Sequence, residues 1–204
     1  MAASVPTDSP QTNAPQGAHE FLLRRTPDQI LGPFYPVRRT PDRSGDLTQG
    51  GRAQGLVLHL SGIISRLDGT PVEGAEVQVW QANQHGRYLH DGDVSPEPLD
   101  PHFEGFGELV TGADGRYAFT TIKPIAYRTS PTTWRPAHIH FRVTTRMEQF
   151  VTQMYFEGDP YNETDPFLRS ARRPEALVVS LLPPAPGQSP DSRRVEFNIA
   201  LATG

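Results

Sequence analysis

Apolar and polar residues alternate strictly through Ala75-Glu76-Val77-Gln78-Val79-Trp80, the period-2 pattern of a strand with one buried face. Leu56-Val57-Leu58-His59-Leu60-Ser61-Gly62-Ile63-Ile64 is equally strand-forming, and Asp68-Gly69-Thr70-Pro71 behind it reads as a turn. Gly107 to Thr111, the turn Ala113-Asp114-Gly115 and Arg116 to Thr121 predict a hairpin closed by Asp-Gly. Further strands are expected over 137–145, 150–156 and 194–201, with short helical turns only within 166–182. Many short strands punctuated by glycine and proline predict an all-β fold, an antiparallel β-sandwich.

Ahead of the strands the pattern breaks down. Residues 1–18, rich in Pro, Ser, Thr and Ala, are expected to be a disordered tail. Residues 19–55 read as an irregular arm and loop, because Thr26-Pro27-Asp28-Gln29-Ile30-Leu31-Gly32-Pro33-Phe34-Tyr35-Pro36 carries too many prolines for a long helix. Residues 56–204 then form the sandwich as a single domain.

Composition narrows the chemistry. There is no cysteine, so thiolate metal sites, iron–sulfur clusters and disulfides are excluded. A net charge of -4 with mixed signs gives no reason to expect nucleic acid or membrane as partner. The N-terminus lacks the features of a signal peptide, and no apolar run reaches the roughly 20 residues that span a bilayer. A cytoplasmic protein acting on a small molecule is expected.

The candidate chemistry centres on Trp134-Arg135-Pro136-Ala137-His138-Ile139-His140. On a strand, residues i and i+2 face the same side, so His138 and His140 project together with Ile139, Phe141 and Val143 behind them. Tyr88, after a glycine at a loop start, and Tyr127, between a proline and a polar loop, are candidates to complete a site of two imidazoles and two phenolates. A phenolate is a hard anionic donor whose ionisation at neutral pH requires a hard, highly charged cation. Iron(III) meets that demand, and ferric iron suits a substrate that chelates it through two oxygens, such as a catechol. Taken singly, a strand histidine pair or a tyrosine in a sandwich is also an ordinary structural feature. Two other readings remain open on these residues. One is an iron(II) facial triad of His138, His140 and a carboxylate such as Glu157; the other is a metal-free transthyretin-like binding module, which Asp68-Gly69-Thr70-Pro71-Val72-Glu73-Gly74-Ala75 would suit.

Val79-Trp80-Gln81-Ala82-Asn83, Gly86-Arg87-Tyr88, Leu99-Asp100-Pro101, Thr121-Ile122-Lys123-Pro124, the Trp134 to Phe141 segment and Thr152-Gln153-Met154-Tyr155-Phe156-Glu157-Gly158-Asp159-Pro160 together resemble the intradiol ring-cleavage dioxygenases. The likeness runs from about Ile30 to the C-terminus and points to the iron-bearing subunit of the protocatechuate 3,4-dioxygenase branch. It implies a non-haem Fe(III) held by Tyr88, Tyr127, His138 and His140, with Tyr88 and His138 equatorial and Tyr127 leaving the metal to take a catechol proton. It also implies that O2 cleaves the ring between its hydroxyl-bearing carbons, giving a muconate-type diacid. Arg135 and Gln153 match positions facing the substrate, and Tyr35 matches a Gly-Pro-x-Tyr element that shapes the pocket. The branch pairs two related subunits; this chain combines the ligands of one with an arm reminiscent of the other, so a homo-oligomer is expected, a partner subunit being the alternative. No tryptophan stands between Tyr127 and Trp134, which implies a roomier pocket. Arg128 is a candidate for a substrate carboxylate, and the loop holding His102 is expected near the opening.

Overall fold

In the computed structural model, which describes residues 22–36 and 44–203, two sheets enclose one apolar core. The expected tail over residues 1–18 lies outside the described residues, as do residues 19–21 and 37–43 of the arm and loop. The first sheet is built around β1 (Val57–Arg66), whose alternating burial puts Leu58, Leu60 and Ile64 inside. The second orders β2 (Glu76–Trp80), β3 (Phe106–Val110), β7 (His138–Thr144), β8 (Gln149–Phe156) and β9 (Val178–Val179) as β3-β2-β7-β8-β9. Between β4 (Arg116–Ile122) and β7, the short strands β5 (Tyr127–Arg128) and β6 (Trp134–Arg135) form a separate two-stranded ribbon. The sandwich and its helical turns, α1 (Pro166–Ser170) and a 3-10 turn over Pro174–Leu177, agree with the sequence reading.

Two features differ from it. The expected hairpin over residues 107–121 is absent: β3 pairs with β2 in one sheet, whereas β4 pairs with β1 in the other. The Asp-Gly turn does form, with Gly115 at φ +67°, but its carbonyl accepts from Ile64 of β1, which carries the chain across the sandwich. Tyr117 and Phe119 can then bury opposite Phe141. The sheets are also mixed. β10 (Arg193–Glu196) and β11 (Ile199–Leu201) lie parallel to β1, and β9 lies parallel to β8. Parallel neighbours need a crossover of a dozen or more residues, and the excursion through α1 supplies it for β8 and β9. A side chain at Gly62 would place its Cβ 2.1 Å from the Phe197 carbonyl, so glycine lets β1 pass the junction between β10 and β11.

Strand alternation divides the second sheet. Val77, Val79, Ile139, Phe141, Val143, Phe150 and Met154 line the core; burying a large apolar side chain contributes roughly 1.5–3 kcal/mol. Gln78, Trp80, His138, His140, Gln153 and Tyr155 therefore share the opposite face, which would be solvated in a bare sandwich. All six are buried here, because the arm covers that face. Its straps are Gln29 N–H to the Val151 carbonyl (2.9 Å), Thr152 Oγ1 to the Pro27 carbonyl (2.7 Å) and Gln153 Nε2 to the Ile30 carbonyl (2.9 Å).

Candidate metal centre

Four of the expected side chains meet on this covered face. His138 and His140 project from β7, with exposures of 2% and 3%. Tyr127 comes from β5, where it pairs with Arg135 across the ribbon. Tyr88 comes from the loop after β2, thrown inward by a turn in which Asn83 Oδ1 accepts from the amides of His85 and Arg87, at 2.8 and 3.1 Å. Asp93 then holds the Tyr88 amide at 2.7 Å. Gly86 in that turn has φ +81°, and a Cβ there would stand 2.8 Å from Tyr127 Cβ, so the turn and the approach of the second tyrosine both require glycine. Gly32 serves the arm similarly: its added Cβ would lie 3.0 Å from His140 Cε1.

The polar ends converge. Tyr88 Oη lies 3.2 Å from His138 Nε2, which lies 3.2 Å from His140 Nε2, and the Tyr127 ring meets the Tyr88 ring edge-on with centroids 5.7 Å apart. His138 Nδ1 donates to the Pro136 carbonyl at 2.7 Å, which fixes the tautomer and leaves the Nε2 lone pair pointing into the cluster. The Tyr88 hydroxyl and His140 Nε2 both face that single lone pair. His140 Nδ1 has no hydrogen-bond partner, so the polar company of this ring is all at Nε2. Trp80 stacks flat on it, with centroids 4.8 Å apart and planes 9° apart.

This donor set fits a cation. Ligand atoms at right angles around a transition metal, with bonds of roughly 2.1 Å, stand roughly 3 Å apart. Burial pushes His138 down to about 3, helped by the Arg135 charge, and pushes His140 well below its ordinary value, so both imidazoles are neutral. Burial also raises Tyr127, and raises Tyr88 well above the ordinary phenol value, so both hydroxyls keep their protons until a positive charge arrives. Two phenolates facing a trivalent ion would leave one positive charge for a hydroxide or substrate oxygen to balance.

The remaining candidates divide. Arg135 is buried beside Tyr127, with Nε 2.6 Å from Asp165 Oδ2, Nη2 2.7 Å from Gln153 Oε1 and its guanidinium 4.6 Å from the Phe167 ring centre. Gln153 spends its amide on Ile30 and its carbonyl on Arg135 and Tyr155, so it positions the arginine. Tyr35 packs edge-on against Trp80, and its hydroxyl sits between Gln78 Oε1 (2.8 Å) and Arg142 Nη1 (2.7 Å), which makes it a support for the arm. Arg128 lies across the Trp134 ring at 4.9 Å, on the face of the ribbon opposite Tyr127 and Arg135. His102 turns toward Gln49. Glu157 is exposed and accepts from Ser180, and no group of three or more His, Asp or Glu gathers among the described residues; the facial triad is thereby overturned.

Two residues were missed. Tyr155 pairs in register with His138 and sets its hydroxyl among Arg135 (3.2 Å), Gln153 (3.0 Å) and Gln29 (3.2 Å). Its position two residues after Gln153 was the available signal. Asp165, fully buried, caps α1 through Leu168 N–H and pairs with Arg135 at once; nothing local marks it.

The family model Dioxygenase matches residues 30–203. The chain is similar to the protocatechuate 3,4-dioxygenase beta chain of Burkholderia cepacia, 41% identical over 79% of this chain and 71% of that one. It is similar to catechol 1,2-dioxygenase 1 of Acinetobacter lwoffii, 32% identical over 87% of this chain and 62% of that protein's length. Among solved structures, the dioxygenase domain of a dioxygenase–carbohydrate-binding protein fusion from a cellulolytic Streptomyces superposes with a TM-score of 0.67, at 27% identity, over 89% of this chain and all of that domain.

Proposed function

The chain belongs to the intradiol ring-cleavage dioxygenases, and from that premise we propose that it opens the ring of a catechol between its two hydroxyl-bearing carbons, using O2 and a non-haem iron(III). The observation that carries this reading is the convergence of Tyr88, Tyr127, His138 and His140 on one buried point, with both imidazoles neutral. Iron(III) bound there would supply Lewis acidity for both substrate oxygens and an electron path from the ring to dioxygen.

The side chains account for the rest. Tyr127, half-buried where Tyr88 is fully enclosed, would hold the metal from the more open side, where its Oη is placed to take a substrate proton. Arg135, held by Asp165 and Gln153, presents a fixed positive charge beside Tyr127, where negative charge grows on the ring. The arm excludes water: Phe34 lies 4.8 Å from the Tyr88 ring, and Gly32 rests on the edge of His140. The loop after Tyr127 carries no tryptophan, and Trp134 is engaged in stacking on Tyr161. All four donors and the covering arm belong to one chain, so no unlike subunit is needed to supply them, and the assembly proposed is a homo-oligomer.

The test is the visible spectrum of the iron-loaded protein with and without catechols, alongside oxygen uptake. A red-brown phenolate-to-iron band that shifts with substrate, and loses at least half its intensity in Tyr88→Phe, is expected. A colourless loaded protein would overturn the ferric reading and restore the metal-free module.

A further inference from the structure

A groove of about 840 Å3 opens between the arm and the segment that follows α1, within the roughly 300–1,000 Å3 of small-molecule sites. Arg24 and Arg25 come from the arm, Arg172 and Arg173 from the segment after α1, and Phe167 and Ile30 are among the apolar residues of the same lining. Four of the twelve lining residues are arginine, against eighteen in the 204-residue chain, so the charge is concentrated here. Compensation is incomplete. Arg25 reaches Glu148 at 2.7 Å, and Asp28, the groove's acid, at 3.5 Å. Arg173 donates to the Arg25 carbonyl, which ties the two walls together. Arg24 and Arg172 make no ion pair or hydrogen bond among the described residues, and Arg25 Nε is buried without an acceptor.

Unbalanced cations in a concavity draw anions, and the guanidinium fork matches a carboxylate. Cations supplied by two separate segments, with Ile30 and Phe167 in the same lining, suit a ligand charged at both ends and flat between. We propose that this groove binds an organic dicarboxylate with an unsaturated or aromatic body, at a site separate from the tyrosine–histidine cluster. The site backs directly on the Arg135 network. Phe167, in the groove lining, lies 4.6 Å from the Arg135 guanidinium, while Gln29 and Ile30, also in the lining, bond Tyr155 and Gln153. This inference does not rest on the ring-cleavage reading.

The experiment is calorimetric titration of the full chain, metal-free and iron-loaded, with terephthalate, which carries no vicinal diol to chelate iron. Saturable one-to-one binding in both forms is expected, weakened at least tenfold in the double variant R24Q/R172Q, whose altered side chains are exposed and unbonded. Benzoate and inorganic phosphate should each bind at least tenfold more weakly than terephthalate. No saturable binding, or an unchanged affinity in the variant, would overturn the site. Benzoate equalling terephthalate would overturn two-ended recognition, and phosphate equalling it would overturn recognition of the ligand's apolar body.

Discussion

Asp165→Asn isolates the charge that holds Arg135. The pair is 2.6 Å apart, with Arg135 6% exposed and Asp165 0%. Asparagine keeps the shape and remains a good N-cap, so the bond from Leu168 N–H to the cap of α1 survives. What is lost is the counter-charge of a buried guanidinium. Removing one partner of a buried pair costs about 3–5 kcal/mol, because the other charge is left uncompensated. At about 2–4 °C per kcal/mol for a chain of this size, Tm should fall by roughly 6–20 °C. Urea unfolding followed by circular dichroism and tryptophan fluorescence measures the loss. Arg135→Met with Asp165→Asn removes both charges, and the combined loss should fall short of the sum by about 1.5 kcal/mol or more. Losses under about 1 kcal/mol in the single variant, or strict additivity, would refute a buried pair.

Tyr155→Phe keeps the ring against His138 but removes the hydroxyl shared by Arg135, Gln153 and Gln29; kcat should fall about three- to tenfold with KM nearly unchanged, at a stability cost of about 1 kcal/mol. Gly86→Ala adds a methyl at φ +81° and against Tyr127, so unfolding should show a loss of about 1–3 kcal/mol together with weaker iron retention. Gly69→Ala, at φ +85° with open space around it, is the control that pays only the backbone cost and leaves iron retention intact. Burial raises the Glu148 carboxyl, but bonds from Arg25 and Thr203 outweigh it and leave the group below its ordinary value. A depressed carboxylate contributes stability above its unfolded value that is lost as pH falls through the folded one. Below about pH 4.5 amide exchange should therefore rise first in residues 22–30, and Glu148→Gln should show that rise already at neutral pH.

Much of the site was legible because it follows from local geometry. Alternation puts His138 and His140 on one side of β7 with Ile139 and Phe141 behind them, whatever the rest of the chain does. The same alternation places Gln153 and Tyr155 together. The tyrosines were legible as donors only in combination with the histidines.

Other features depend on which segments meet. An Asp-Gly turn between two strand-like runs suits a hairpin and a crossing between sheets equally well; the choice for 113–115 was made by β1, whose Ile64 captures the turn. Arg135 invited a role at the substrate, but its charge is tolerable in the interior only because Asp165 arrives from the cap of a helix thirty residues on. Gln153 and Tyr35 match family positions at the pocket, but strand and loop position cannot say what their polar atoms meet: the arm's carbonyl at Ile30 for one, the Gln78–Arg142 pair for the other. Sequence by itself determined strands, faces and donor types, since these are set by dihedral preference and alternation over a few residues. Tertiary structure decided partners, because a buried polar atom must be satisfied by whatever the packing of distant segments brings within 3 Å.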